Sequence, residues 1–364
     1  MDELHFDFLL KVDSYNPMSL TYLFLMLVAL LSAFIIGLTI YKTKVEISKK
    51  IWQKSISEII SQAIFFTGEG DDRVDINYKI EMLLQKPGFR DCLVNELIQA
   101  KKNLSGASTD NLKKLYKILE LDKDSLKKLD NVKSHKKAKG IQELAIMEQE
   151  KYLKRIFRLT NNKNEMVRNE AQCALVGFYG FLGLRFLNVT TYPISQWQQI
   201  QLLNKLNDVT PANFDAIKKW LRSSNESVIV FSLKLAVHYN CTTVYNDVIY
   251  CLKSNVLTVK LNALEYLNKM PQENAAQQII ESYSFENKIY RLAIINVLEN
   301  IGNELQVPFL LNVLNDTDND IKAAAAKTLS SLHPAGTAFL QTQTFAGKNP
   351  WKAIFLQLKN ERAA

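Results

Sequence analysis

Small residues recur in this chain at nearly one interval. Gly140, Ala171, Ser232, Ala263, Ala293 and Ala325 stand 31, 61, 31, 30 and 32 residues apart, the second interval being about two periods. Five of them sit in similar segments: NEMVRNEAQCALVGF at 164–178, NESVIVFSLKLAVHY at 225–239, NVLTVKLNALEYLNKM at 255–270, ENKIYRLAIINVLENIG at 286–302 and DNDIKAAAAKTLSSLHP at 318–334. HKKAKGIQELAIM at 135–147 fits the same frame through Gly140 and Leu144. Each of the five opens with Asn, Asp or Glu, residues suited to a helix N-terminus. A β-branched residue (Val167, Val228, Val259, Ile289, Ile321) stands four before the small one, and an apolar residue (Leu175, Ala236, Leu267, Val297, Leu329) four after. That spacing puts all three on one helix face. Partner helices are predicted at Val244–Lys253, Ala275–Tyr283 and Val307–Asn315, where Pro308 suits a first helical turn.

Two helices per unit of about 31 residues is the pattern of an α-solenoid. One such unit cannot bury its apolar face alone, so several must stack. Composition agrees. Only 12 of 364 residues are Gly and 8 are Pro, well below the usual share. That scarcity of turn residues argues against sandwiches, barrels and nucleotide-binding sheets, and an apolar content of 47% argues against disorder.

Residues 18–41, MSLTYLFLMLVALLSAFIIGLTIY, contain no charge. About 20 apolar residues in a helix span a bilayer core, and Tyr22 and Tyr41 stand where aromatic rings favour the interface. A secretory signal would need a basic start, a shorter apolar run and a small-residue cleavage site. Here the preceding segment is acidic and the run exits into Lys42 and Lys44, so an uncleaved transmembrane helix is expected. It has no GxxxG, so it gives no indication of dimerisation. Lys42, Lys44, Lys49, Lys50 and Lys54 follow the run and only Lys11 precedes it. Positive charge stays on the cytoplasmic side, which predicts a cell-membrane protein crossing once, N-terminus outside and bulk cytoplasmic. The expected organisation is an extracytoplasmic tail at 1–17, a transmembrane helix at 18–41 and a helical juxtamembrane segment at 42–130. An α-solenoid at 131–345 and a capping helix at 346–364 complete it.

Within 42–130, helices are expected at 45–66 and 77–102, separated by a loop at 68–72. A helix at 111–121 is expected to be capped by Asp110, and a short one by Asp122–Ser125. Residues 183–222 depart from the periodic pattern, with an extra loop at 189–193 and helices at about 195–208 and 213–222. The uncharged run at 173–184 is expected to be a buried helix in which Gly177, Gly180 and Gly183 permit close packing.

The periodic segments resemble HEAT repeats of the short bacterial type, most closely in DNDIKAAAAKTLSSLHPAG. The resemblance covers roughly 131–335 and implies an all-α fold, an N-terminal transmembrane helix followed by a HEAT-like solenoid. It implies scaffolding or protein–protein interaction. The stretch LDKDSLKKL at 121–129, followed by KKAKGIQELA at 136–145, also looks like the lead-in of membrane-anchored bacterial HEAT proteins. That likeness implies an exopolysaccharide or envelope system.

Chemistry is sparse. Asp316, Asp318 and Asp320 look like the start of a calcium loop, but Ile321 and Lys327 occupy the positions where Gly and Glu are required, so helix capping is the better reading. The four histidines, His5, His135, His238 and His333, have no metal spacing. Cys92, Cys173, Cys241 and Cys251 form no CxxC and lie within apolar helical patterns, as buried free thiols would. No catalytic, cofactor or metal residue is expected. The strongest candidate surface is basic: Lys127, Lys128, Lys133, Lys136, Lys137, Lys139, Lys151, Lys154, Arg155 and Arg158, against four acids. It would dock lipid headgroups or a protein partner, or stand as a solvated face. The expected role is a membrane-tethered cytoplasmic scaffold or adaptor with a membrane-associated protein partner, and no nucleic acid or small-molecule substrate. The alternatives are an enzyme on a HEAT-like scaffold, lyase-like, and more remotely a nucleic-acid binder.

Overall fold

A computed structural model describes residues 17–64, 78–207, 214–283 and 287–334, with 336, 338, 341–342, 351–354 and 356. Most of the N-terminal tail, the loop at 68–72, His5 and much of 346–364 lie outside the described residues. Among the described residues every regular element is helical and no strand occurs. In chain order the helices are α1 (Pro17–Ile64), α2 (Tyr78–Leu84), α3 (Pro87–Asn103), α4 (Ala107–Ile118), α5 (Leu121–Leu129), α6 (Ser134–Ile146), α7 (Leu153–Leu159), α8 (Glu165–Tyr179) and α9 (Gln196–Asn204). They continue as α10 (Asp215–Trp220), α11 (Glu226–His238), α12 (Tyr245–Cys251), α13 (Leu257–Lys269), α14 (Ala275–Glu281), α15 (Lys288–Ile301), α16 (Val307–Val313) and α17 (Asn319–Leu332). The chain divides into two compact units between Lys127 and Lys128.

In the first unit α1 is one helix of 48 residues, about 72 Å long at 1.5 Å per residue. The helices expected at 18–41 and 45–66 are thus a single helix, because no Pro or Gly follows Gly37 within it. Its apolar half is long enough to cross a membrane, and the most apolar window is unburied. Ile47 and Ile51 remain exposed; burial begins at Ile56 and continues through Ile59, Ile60 and Ala63, which α3 and α4 cover. The helix expected at 77–102 is instead two, since Pro87 holds Lys86 in an extended conformation (ψ 117°). The helix expected at 111–121 begins earlier, at Ala107 after Gly106 (φ 72°), so Asp110 lies in its first turn and pairs with Lys113 rather than capping. Asp122 and Asp124 likewise sit within the first turn of α5, not before it.

In the second unit the expected segments become α6, α8, α11, α13, α15 and α17, with ends within two residues of the sequence reading. Each of the short helices α7, α10, α12, α14 and α16 packs against the long helix that follows it. The long helices pack in chain order, with α9 between α8 and α11. This accounts for the interval of 61. Fully buried Leu202 of α9 stands 31 residues after Ala171 and 30 before Ser232, filling with a large side chain the place that small residues take elsewhere. Successive long helices run the same way. Lys288 meets Asp320 at the N-terminal ends of α15 and α17, and Thr328 Oγ1 donates to the Ile295 carbonyl further along.

One register needs correction. Ile289 is 59% exposed and Ala293 only half-buried, whereas Tyr290, Ile294 and Leu298 are at most 1% exposed. The Asn287 side chain accepts from Tyr290 N, as Asn164 does from Val167 N and Asp318 from Ile321 N. The frame therefore runs one residue later in α15, and Ile294 lies 31 from both Ala263 and Ala325. The expected helix at 173–184 breaks at Gly180 (φ 53°), where a 3-10 segment, Gly180–Asn188, begins. Gly183 packs closely, since an added Cβ would stand 2.3 Å from the Leu175 carbonyl oxygen, while at Gly177 it would meet only Lys205 Nζ at 4.0 Å. Near the C-terminus, Trp351 and Ile354 lie in a short helical stretch and pack into the cluster formed by α15, α16 and α17.

Candidate functional site

Three groups of surface residues stand out, and the basic stretch read from sequence is the first. Its charges are partly used internally. The Glu143 carboxylate is 1% exposed and takes Lys128 Nζ at 2.6 Å and Lys139 Nζ at 3.7 Å. Arg155 pairs with Asp130, Lys127 with Asp124 at 3.5 Å, and Lys151 lies over the Tyr152 ring. Lys133 is the N-cap residue of α6, with Lys136 and Lys137 in the first turn, where a helix dipole disfavours cations. Lys154 and Arg158 share the exposed side of α7. These last five make no ion pair among the described residues, so half of the ten remain available to an anionic partner.

The second group was missed by the sequence reading. The second residue after the cap is exposed Met166 in α8, Trp197 in α9 and Ile289 in α15, with Ser227 and Thr258 in that place in α11 and α13. The fifth is Ile200, Val230, Leu261 and Leu292 in successive helices, exposed or half-buried. Residues three apart share a helix face, so these line up across adjacent helices as an apolar stripe. The ninth position beside it is polar: Lys234, Glu265, Asn296 and Lys327. Counting from the caps, rather than from the small residues, is the signal that reveals it.

The third group is the insertion at 189–194. It is tied down on both sides. Thr191 N and Oγ1 lie 3.0 and 3.1 Å from Asn161 Oδ1, and Asn225 Nδ2 donates to the Thr190 and Tyr192 carbonyls. Ser227 Oγ accepts from Ile194 N at 2.9 Å, and Arg168 stacks on the Tyr192 ring.

The aspartates of the calcium-like loop are spent on helix ends. Asp316 holds Arg291 at 2.6 Å, Asp318 caps α17, and Lys288 bridges Asp318 and Asp320. Among the described residues no cluster of His, Cys, Asp and Glu could hold a metal ion. No disulfide joins the four cysteines; Cys241 and Cys251 are buried as expected, whereas Cys92 and Cys173 are half-buried, and burial, then nearby Asp247, pushes the Cys251 thiol up to about 11, far from a reactive thiolate at neutral pH. His238 is half-buried against the Tyr239 ring, and His333 lies 3.8 Å from Glu304.

No protein-family model matches the sequence, and no curated protein does. Among solved structures, an engineered protein is similar at 10% identity over 84% of this chain and 97% of its own, with a TM-score of 0.39. Human deoxyhypusine hydroxylase, in complex with glycerol, is similar at 14% identity over 86% and 98%, with a TM-score of 0.29. A second engineered protein gives 12% identity over 77% and 97%, with a TM-score of 0.22. Likeness at these scores transfers neither a fold family nor an activity.

Proposed function

We propose that this chain is a membrane-tethered adaptor. Its apolar N-terminal half of α1 crosses the cell membrane once, N-terminus outside, and its second unit is a HEAT-like solenoid that holds a membrane-associated protein partner in the cytoplasm. The observation that carries this reading is the apolar stripe over α8, α9, α11, α13 and α15. Apolar residues at one or both of two adjoining register positions in successive helices offer an extended surface to another chain. The exposed half of the basic stretch adds a second contact area, for lipid headgroups or the partner. Tethering raises the partner's effective concentration. An exopolysaccharide or other envelope system is where the resemblance of 121–145 directs the search for that partner.

The test is a crosslinking pull-down from intact membranes. It compares the full chain, a chain lacking residues 1–44, and Trp197→Asp with Leu261→Asp. The shortened chain keeps the part of α1 that packs on α3 and α4. One dominant protein captured by the full chain and lost in both variants supports the reading. Equal capture by all three refutes it. Protease applied outside intact cells must leave the bulk of the chain uncut; digestion there would reverse the proposed orientation.

A further inference from the structure

A cleft of about 900 Å³ opens between α10, α12 and the start of α13. Its origin lies in one position of the repeating frame. The fourth residue after the cap is basic in α8, α13 and α15 (α9 has Gln199), and that basic side chain reaches toward the next unit. Arg168 stacks on Tyr192, Lys260 lies over the Tyr290 ring, and Arg291 pairs with Asp316. In α11 this residue is Ile229. Its short apolar side chain reaches no such partner, and it lines the open space with Leu221 and Val259.

The chemistry around that space is one-sided. Lys218, Arg222 and Lys253 line it, against one carboxylate, Asp247. Asp247 is 6% exposed, and its Oδ1 accepts from Arg222 Nε at 2.9 Å and Nη2 at 2.7 Å. Arg222 is nonetheless 68% exposed, leaving further N–H groups for a ligand. Lys218 and Lys253 are exposed and make no ion pair among the described residues. Two residues before the cap, where the α17 turn has Asp316, this region has Ser223 before α11 and Ser254 before α13. Each serine oxygen accepts one backbone N–H, from Asn225 and Val256 respectively, and its own O–H remains to donate. The cap of α13 is Val256, so no side-chain oxygen closes that helix end.

We infer that this cleft binds a phosphate group. Ammonium groups, a guanidinium edge and two hydroxyls distributed around a concave site suit a tetrahedral dianion better than a planar carboxylate. The phosphate would come from a soluble phosphorylated small molecule or from a lipid headgroup. The inference is independent of the adaptor reading, which rests on another surface.

The test is calorimetric titration of inorganic pyrophosphate into the full chain held in phosphatidylcholine nanodiscs. Saturable binding at one site per chain is expected. Lys218→Gln with Lys253→Gln should weaken it about tenfold or more, while Lys352→Gln, exposed and outside the cleft lining, leaves it unchanged. Ser254→Asp should abolish it. That variant keeps the turn, because Asp316 Oδ1 accepts from Asp318 N in the equivalent place. Circular dichroism checks that each variant is folded, and Lys218→Arg with Lys253→Arg should retain binding. No saturable heat, or full affinity in Ser254→Asp, overturns the inference. Repeating the titration in phosphatidylglycerol nanodiscs separates the sources. Competition by the anionic lipid assigns the site to a headgroup, and unchanged pyrophosphate affinity assigns it to a soluble ligand.

Discussion

At the residue scale, burial decides which ion pairs matter. Arg291 and Asp316 are 11% and 6% exposed, whereas Lys288 and Asp320 are 44% and 73% exposed. Removing one member of a buried pair strands the other charge, at about 3 kcal/mol or more, and an exposed pair contributes under about 1 kcal/mol. Asp316→Ala should therefore lower unfolding stability in urea by about 3 kcal/mol, and Lys288→Ala by a small fraction of that. The acid limb has a defined sign. The side-chain bond from Lys288 holds the Asp318 carboxyl below its ordinary 3.8, and the Lys113 bond does the same for Asp110. Groups lowered on folding stabilise above their unfolded value, and that contribution is lost as pH falls through the folded one. Melting temperature should drop on acidification below about pH 4. Asp318→Asn, which keeps a capping oxygen, should narrow the gap to the parent chain as pH falls through that window.

At the element scale, helix existence was legible and helix limits less so. Apolar spacing located α6, α8, α11, α13, α15 and α17 because one face of each is buried by its neighbours. What the spacing could not rank was local chain chemistry: Pro87 dividing one apolar run, Gly106 starting α4 early, Gly180 ending α8. The α15 register slipped because Tyr290, not the β-branched Ile289, fills the buried place, and the Asn287 cap is the cue that fixes it. Close packing at glycine gives a paired prediction. Gly183→Ala should cost about 1–3 kcal/mol, since the new Cβ collides with the Leu175 carbonyl. Gly177→Ala should gain about 0.5–1 kcal/mol, because it lies in a helix with open space beside it. Chemical denaturation of the two variants should give opposite signs.

At the scale of the whole molecule, the sequence reading found the basic stretch but not its division into internal pairs and available charges. Asp130 and Arg155, Arg222 and Asp247, and Arg291 and Asp316 are each 25 residues apart, shorter than the helix interval, so the small-residue frame gives no cue to the pairing. The cleft was illegible because it arises from the absence of a basic residue at Ile229, which has meaning only once its counterparts are aligned. In the second unit, side-chain links between units mostly join residues about 30–35 apart, so stability should be graded along the chain. Hydrogen exchange should be slower in α8, α11, α13 and α15, which have long helices on both sides, than in α17, and Trp351→Ala should quicken exchange in α16 and α17 before it reaches α11.

The unbroken course of α1 has a mechanical consequence. A break after Tyr41 would let the apolar half swivel independently of the half beyond it. Instead hydrogen-bonded backbone runs on to Ile64, where Ile56, Ile59, Ile60 and Ala63 are gripped by α3 and α4. The helix is therefore built as a drive shaft: a roll or tilt imposed on its apolar half is delivered as torque to the helices packed on its other half.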